Sequence, residues 1–210
     1  MNIAIIGATG RAGALITEEA IRREHQVTAI IRDRTKLNRD IPFLEKDVFD
    51  LTHSDVFPYD VLVYALATWG EHLHLREPLM RHFVGLLRED QRVLFVGGAG
   101  SLVANSGVKL KDSADFPERI QQIADMGQVE LDIVRESSLT RWTYVSPAER
   151  FLYEAPALGQ YFFSDDRLPV NDGGDSEISY RDYATAFVDE IELGRYIGQQ
   201  CSIGSEVSYS

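Results

Sequence analysis

Seven residues near the N-terminus have the types and spacing to hold a phosphate. Gly7, Gly10 and Gly13 recur at every third position of Gly7-Ala8-Thr9-Gly10-Arg11-Ala12-Gly13. The apolar run Asn2 to Ile6 precedes them, and Ala12, Leu15, Ile16 and Ala20 follow at the spacing of one helix face. A strand, a glycine turn and a helix in direct succession form a dinucleotide-binding unit, with the free N–H groups and positive end of the helix turned towards a pyrophosphate. Gly7 permits the tight turn, Gly10 lets the backbone approach the pyrophosphate, and Gly13 lets the helix pack on the strand. Gly7, Thr9, Gly10, Arg11, Ala12 and Gly13 are therefore the expected pyrophosphate contacts. The spacing departs from G-x-G-x-x-G, because Thr9 stands where that motif has a glycine.

The end of the next apolar run, Ile31-Arg32-Asp33-Arg34, carries the second chemical signal. In a βαβ nucleotide site an acidic residue here accepts the adenosine ribose hydroxyls, whereas an arginine favours a 2′-phosphate. Arg32 comes first off the strand and Arg34 follows, so NADP(H) is the expected cofactor and NAD(H) the alternative. Trp69, His72 and His74 share one loop. Two histidines at i and i+2 could chelate from a strand but not from one helix face. With no cysteine or carboxylate cluster around them, surface histidines and no metal are expected. The one cysteine, Cys201, excludes a disulfide framework within the chain and fits a reducing cytoplasm.

The elements that position these residues follow from periodicity. Strands are expected at 2–6, 27–31, 43–45, 60–66, 92–96 and 142–145, with a last short one including 201–203. The first helix is expected to end near Glu24-His25. A helix with Leu79, Phe83, Val84 and Leu87 on its inner face follows the loop holding Trp69. Another runs from Phe116 to about Glu136, with Ile120, Ile123, Ala124, Leu131 and Val134 inward. Asp50 is expected to cap the turn that follows it. The run Gly97-Gly98-Ala99-Gly100-Ser101 lets backbone approach the nicotinamide side of a cofactor and presents Ser101 to the same crevice. Residues 151–178 read as mostly irregular and rich in aromatics. There Phe151, Tyr153, Tyr161, Phe162 and Phe163 either face a flat substrate or pack the C-terminal portion. Ser179-Tyr180-Arg181-Asp182 opens a final helix with Tyr183, Ala184, Phe187, Val188 and Ile191 in the core.

Length and composition set the bounds. The 210 residues suit one domain, 1–210, in which about 151–210 form a C-terminal portion covering the site. A hydrophobic content of 44% supports a full core, no apolar run is long enough to span a membrane, and no signal-peptide pattern is present. With 33 acidic against 21 basic residues the net charge is −12, which disfavours nucleic acid and anionic membranes as partners. A small molecule is the expected partner, and the chain is expected to be cytoplasmic, as a monomer or a homodimer.

Together these motifs resemble the atypical short-chain dehydrogenases/reductases, in particular an NAD(P)H–flavin reductase group related to NmrA-like and biliverdin-reductase-B-like proteins. The matching residues are 7–13, Arg32, Lys46-Asp47-Val48, Val96 to Leu102, Ser146-Pro147, Ile178-Ser179 and Asp182-Tyr183-Ala184, spread over nearly the whole chain. The resemblance implies that Asp47 and the Val48 amide meet the adenine edge. It implies that Ala65 and Leu66, in the place of the superfamily's Asn-Ala-Gly stretch, line the ribose–nicotinamide half together with Ser146. It also implies a Rossmann-type α/β fold, a doubly wound and mostly parallel sheet of about six or seven strands in the order 3-2-1-4-5-6.

One departure from the superfamily decides the chemistry. Its usual Tyr-x-x-x-Lys dyad lowers a phenol's pKa so that it can protonate a carbonyl. None of the nine tyrosines has a lysine four residues on, and the four lysines, Lys36, Lys46, Lys109 and Lys111, all lie in the first 111 residues. Carbonyl reduction and epimerisation by that dyad are therefore not expected. Hydride transfer to FMN, another flavin or a quinone needs positioning more than acid catalysis, because the acceptor itself takes up the charge. Trp69, Ser101 and Phe151 are the expected substrate contacts. The rival expectation is an NmrA-like redox sensor that binds NADP(H) without turnover.

Overall fold

The computed structural model describes residues 1–209. β1 (Asn2–Ile6) is buried on both faces from Ile3 to Ile6, as a central parallel strand must be. α1 (Arg11–Arg22) follows and turns Ile16 and Ala20 inward. β2 (Gln26–Ile31) pairs parallel with β1, and β3 (Phe43–Glu45) pairs with β2 on the outer side. One turn of helix, α2 (His53–Val56), leads back to β4 (Val61–Tyr64), which takes the other side of β1. The chain then continues in that direction through α3 (Arg76–Gly85), β5 (Arg92–Val96), α4 (Gln121–Glu136) and β6 (Trp142–Pro147).

The last part holds β7 (Arg150–Leu152), β8 (Tyr161–Ser164), β9 (Glu177–Ser179), α5 (Tyr180–Leu193) and β10 (Gln199–Ser205). β10 lies parallel beside β6 and takes β8 antiparallel on its far edge. The eight-stranded order is β3-β2-β1-β4-β5-β6-β10-β8, and β7 and β9 form a separate parallel pair. Helices cover both faces. Ile3 and Ile5 pack with Ile16, Phe187 and Ile191 on the side of α1 and α5. Ala4 and Ile6 pack with Met80, Phe83, Leu131 and Val134 on the side of α3 and α4. Fully burying each such isoleucine or phenylalanine contributes about 1.5–3 kcal/mol. Among the described residues no helix is long and apolar enough to cross a membrane.

The doubly wound α/β fold and the order 3-2-1-4-5-6 are as the sequence predicts, and three local expectations are not. Residues 151–178 are mostly irregular as expected, with Tyr161–Ser164 forming β8 within them. That strand is held by β10, which includes the expected 201–203, and together they bring the sheet to eight strands rather than six or seven. α4 begins at Gln121 rather than Phe116, because Pro117 holds extended backbone and a single 3-10 turn, Glu118–Ile120, intervenes. Ile120 therefore lies outside the helix and is 37% exposed rather than inward. α1 stops at Arg22, one turn of chain before His25, where Glu24 takes a φ of 64°. The opening of α5 is as expected, with Ser179 Oγ accepting the Asp182 amide at 3.0 Å.

Candidate nucleotide site

The order of strands reverses direction between β1 and β4, and the glycine loop sits at the carboxyl end of β1 at that switch point. Gly7 has a φ of 82°, and a Cβ there would lie 2.6 Å from the Ala65 carbonyl oxygen at the end of β4. A Cβ at Gly13 would collide with the carbonyl of Gly7. The loop closes through Gly10 N–H donating to Gly7 O at 2.9 Å, and α1 begins with Ala14 N–H donating to Gly10 O at 2.9 Å. No side chain caps α1 and its first turn holds no acid. The first N–H groups of α1 therefore remain available to an anion. Thr9, Gly10 and Arg11 are exposed beside them. Arg11 turns its guanidinium over the Tyr153 ring, 5.1 Å from its centroid, linking the loop to the C-terminal portion.

Beyond the carboxyl ends of β2 and β3 lie the residues expected to meet the adenosine. Arg32 stands exposed beyond β2 with Nη1 3.8 Å from Asp47 Oδ2. Asp33 is engaged locally: its Oδ1 accepts from Thr35 Oγ1 at 2.6 Å and from Thr35 N–H at 3.0 Å, which together hold the carboxyl below its usual range. Arg34 folds back, donating to Leu37 O at 2.8 Å and lying over the Phe43 ring at 4.9 Å. Asp47 accepts from Phe49 N–H at 3.0 Å and Val48 is buried. Asp47 thus caps the 3-10 turn Val48–Asp50, while the turn that follows Asp50, α2, is capped by Thr52 and Asp55 rather than by Asp50. Asp47 takes the role because it stands immediately before the turn, where a carboxylate meets free amides.

At the other end, Ala65 and Leu66 are half-buried beside Gly7, and the Thr68 hydroxyl just beyond them is buried without a partner among the described residues. Trp69 is 61% exposed. His72 and His74 are also exposed, His72 lying 3.7 Å from Glu71. Ser101 and Ser146 are buried and meet through Gln200 of β10, whose Nε2 donates to Ser101 Oγ at 2.8 Å and to Ser146 Oγ at 3.1 Å.

The aromatics of the C-terminal portion mostly pack among themselves. Phe151 stacks on Tyr180 with centroids 3.5 Å apart and meets the edge of Tyr183 at 4.9 Å. Tyr161 donates to Asp189 at 2.6 Å, and Phe163 stacks on Tyr196. Tyr153 remains 47% exposed. Thr68 and Gln200 were not singled out by sequence reasoning. A hydroxyl closing the small-residue stretch after β4 was the available sign for Thr68. Gln200 gave none, because its strand reads as too short to include it.

A glycine cradle at the switch point of a doubly wound sheet, an arginine beyond β2 and an unpartnered hydroxyl beyond β4 fit a dinucleotide. These features define a nucleotide-binding α/β protein. The chain belongs to the NAD(P)H-binding family whose model matches residues 7–192. It is 39% identical over 214 residues to the uncharacterized protein YwnB of Bacillus subtilis, covering 98% of this chain and 99% of that one. A crystal structure from Streptococcus pneumoniae, of a protein described as a candidate NADH-flavin reductase, matches with a TM-score of 0.92 and 37% identity over 98% of this chain and 99% of its own. Another, a candidate epimerase from Bacteroides thetaiotaomicron, matches with a TM-score of 0.86 and 28% identity over 100% and 99%.

Proposed function

We propose that this chain is an oxidoreductase passing hydride from NADPH to a flat acceptor, a flavin or a quinone. The observation that carries the reading is a complete nucleotide cradle with no Tyr-x-x-x-Lys dyad anywhere in the chain. When bound, the dihydronicotinamide supplies the hydride. NADPH, acceptor and one proton give NADP⁺ and the dihydro-acceptor, and solvent provides the proton.

The chain's own residues bind and orient. The loop from Gly7 to Gly13 grips the pyrophosphate with backbone N–H groups. Arg32 meets the 2′-phosphate, supported by the commitment of Asp33 to Thr35, which removes the acid that would favour a free ribose. Arg34 serves this end only if it leaves Leu37. Asp47 and Val48 take the adenine edge, while Ala65, Leu66 and Ser146 back the ribose–nicotinamide half. Trp69 offers an exposed aromatic face to the acceptor, and Ser101 and Phe151 are its further contacts. Residues 1–210 act as one nucleotide-binding domain, with 151–210 covering the site. The Streptococcus relative's description as a flavin reductase supports this choice of acceptor, and its naming of NADH makes Arg32 the residue to test.

The deciding experiment compares acceptors. NADPH consumption with FMN, riboflavin and quinones, and none with simple aldehydes and ketones, is the expected pattern. Reduction of simple ketones at comparable rates contradicts it, since that reaction needs the missing acid. Binding of NADPH with no turnover on any acceptor replaces the reductase with the sensor.

A further inference from the structure

We propose that Gln200 is a positioning residue that sets the Ser101 hydroxyl to donate to the nicotinamide end of a bound dinucleotide. The inference deepens the nucleotide reading above and rests on it. Gln200 lies in β10, four per cent exposed, four strands from β1 and its glycine loop, across β6, β5 and β4. Its Oε1 accepts from Arg135 Nη2 of α4 at 3.2 Å. A guanidinium can only donate, so the amide oxygen must face Arg135 and the NH₂ must face the serines. The two serine oxygens, Ser101 Oγ at 2.8 Å and Ser146 Oγ at 3.1 Å, are therefore acceptors towards Gln200.

An acceptor role leaves each hydroxyl its own proton to place elsewhere. Among the described residues the Ser101 proton has only Gly98 O at 3.4 Å, beyond the usual range for a hydroxyl donor. Ser146 has no acceptor for its proton among the described residues and no exposed surface, so it anchors the network from behind. Ser101 closes the 3-10 turn Ala99–Ser101 that leaves the carboxyl end of β5, the edge at which such sheets bind ligands. With β1 and β4 gripping the pyrophosphate and β2 holding the adenosine, the β5 end belongs to the nicotinamide. The glycine run brings the loop down onto this network: a Cβ at Gly97 would press on the Tyr144 ring and come within 3.0 Å of Ser146 Oγ. Arg135 polarises the amide and strengthens its grip on both hydroxyls. The nicotinamide carboxamide carries the carbonyl oxygen that Ser101 would meet.

Gln200→Glu tests this without emptying the site. The carboxylate keeps the shape and the Arg135 contact but reverses the polarity, so both serines must spend their protons on it. The measurement is the dissociation constant of NADPH beside that of 2′-phospho-ADP-ribose, which keeps the adenosine half and the pyrophosphate and lacks the nicotinamide. The expected result is NADPH affinity lowered about tenfold with the probe's affinity unchanged. Ser101→Ala should give the same selective loss, and the double variant no further one, because both act through one hydroxyl. Should Gln200→Glu be too unstable to measure, Ser101→Ala still decides whether the hydroxyl meets the nicotinamide end. Unchanged NADPH affinity in either variant, or an equal loss for both ligands, overturns the inference. A wild-type protein that binds NADPH but turns over no acceptor removes the reductase reading alone, since this comparison needs no turnover.

Discussion

Single residues here are legible wherever their role follows from lacking a side chain or carrying a charge at a strand end. Gly13 has no room for a methyl group, so Gly13→Ala must push α1 away from Gly7. The expected cost is about 1–3 kcal/mol in urea unfolding, with NADPH binding lost more completely than stability because the helix N-terminus leaves the phosphate. Arg32 and Asp47 have types that fit the places a βαβ unit assigns to nucleotide contacts, and the structure sets them 3.8 Å apart beyond β2 and β3. Ser101 and Ser146 were readable as types but not as partners, since the residue joining them is about a hundred positions from one and over fifty from the other. Cys201 is fully buried, and burial pushes its thiol well up. It should react with a thiol reagent such as DTNB only as fast as the protein unfolds; rapid reaction in native buffer would contradict its place in β10.

Elements repeat the lesson at larger spacing. β1, β4 and β5 were visible because both of their faces are apolar and buried. β10 was visible only at 201–203, because Gln-Gln-Cys-Ser-Ile-Gly-Ser carries too many polar residues to read as a full buried strand. Those groups are tolerated because each is bonded: Ser202 donates to Arg167 O at 2.7 Å and Ser205 to Val207 O at 2.6 Å, beside Gln200 in its serine network. Without the full length of β10, whose Ser202 to Ser205 pair with β8, the aromatics of β8 had no visible partner strand.

Two elements are pinned by charge. α3 and α4 are joined by Arg76 and Glu130, a buried pair with Nε donating to Oε1 at 2.9 Å. Burial already pushes Glu130 up, and Arg76→Leu would leave it with no cation. The variant should lose about 3–5 kcal/mol in denaturant unfolding. A carboxyl raised above its unfolded value costs nothing while protonated and destabilises as pH rises through its folded pKa. The loss should therefore be smaller in mildly acidic buffer than in mildly alkaline buffer.

Asp55 has the opposite sign. Its hydrogen bonds to Thr52, then to Lys46, lower it to about 2. Its contribution to α2 is present above the ordinary carboxylate value of 3.8 and fades as pH falls towards 2. Asp55→Asn should flatten that part of the acid-unfolding curve.

For the whole molecule, cradle, strand order and charge bear on one proposal: an acidic chain of an NAD(P)H-binding family holding its anionic dinucleotide through local donors. Ligand binding to the folded state should stabilise it by about 2.7 kcal/mol at a hundred times the dissociation constant, a rise of about 5–10 °C in melting temperature. A scan with and without NADPH measures it, and no rise at saturating NADPH would contradict the cradle. The fold as a whole was legible because seven spaced residues and a run of buried strands set one architecture. The acceptor was not, because Ala65, Leu66, Ser101 and Ser146, just beyond or at the ends of β4, β5 and β6, are small, partly buried or held by one another.

The central claim is that NADPH, selected by Arg32, passes hydride to a flat acceptor. Anaerobic NADPH oxidation with FMN, run beside NADH and beside Arg32→Ala, tests it most directly. The account predicts turnover that favours NADPH. In the variant the KM for NADPH should rise about tenfold or more while that for NADH barely moves. Equal use of both cofactors by the wild type, unchanged by the variant, would contradict the cofactor assignment, and no oxidation with FMN or any quinone would contradict the reaction.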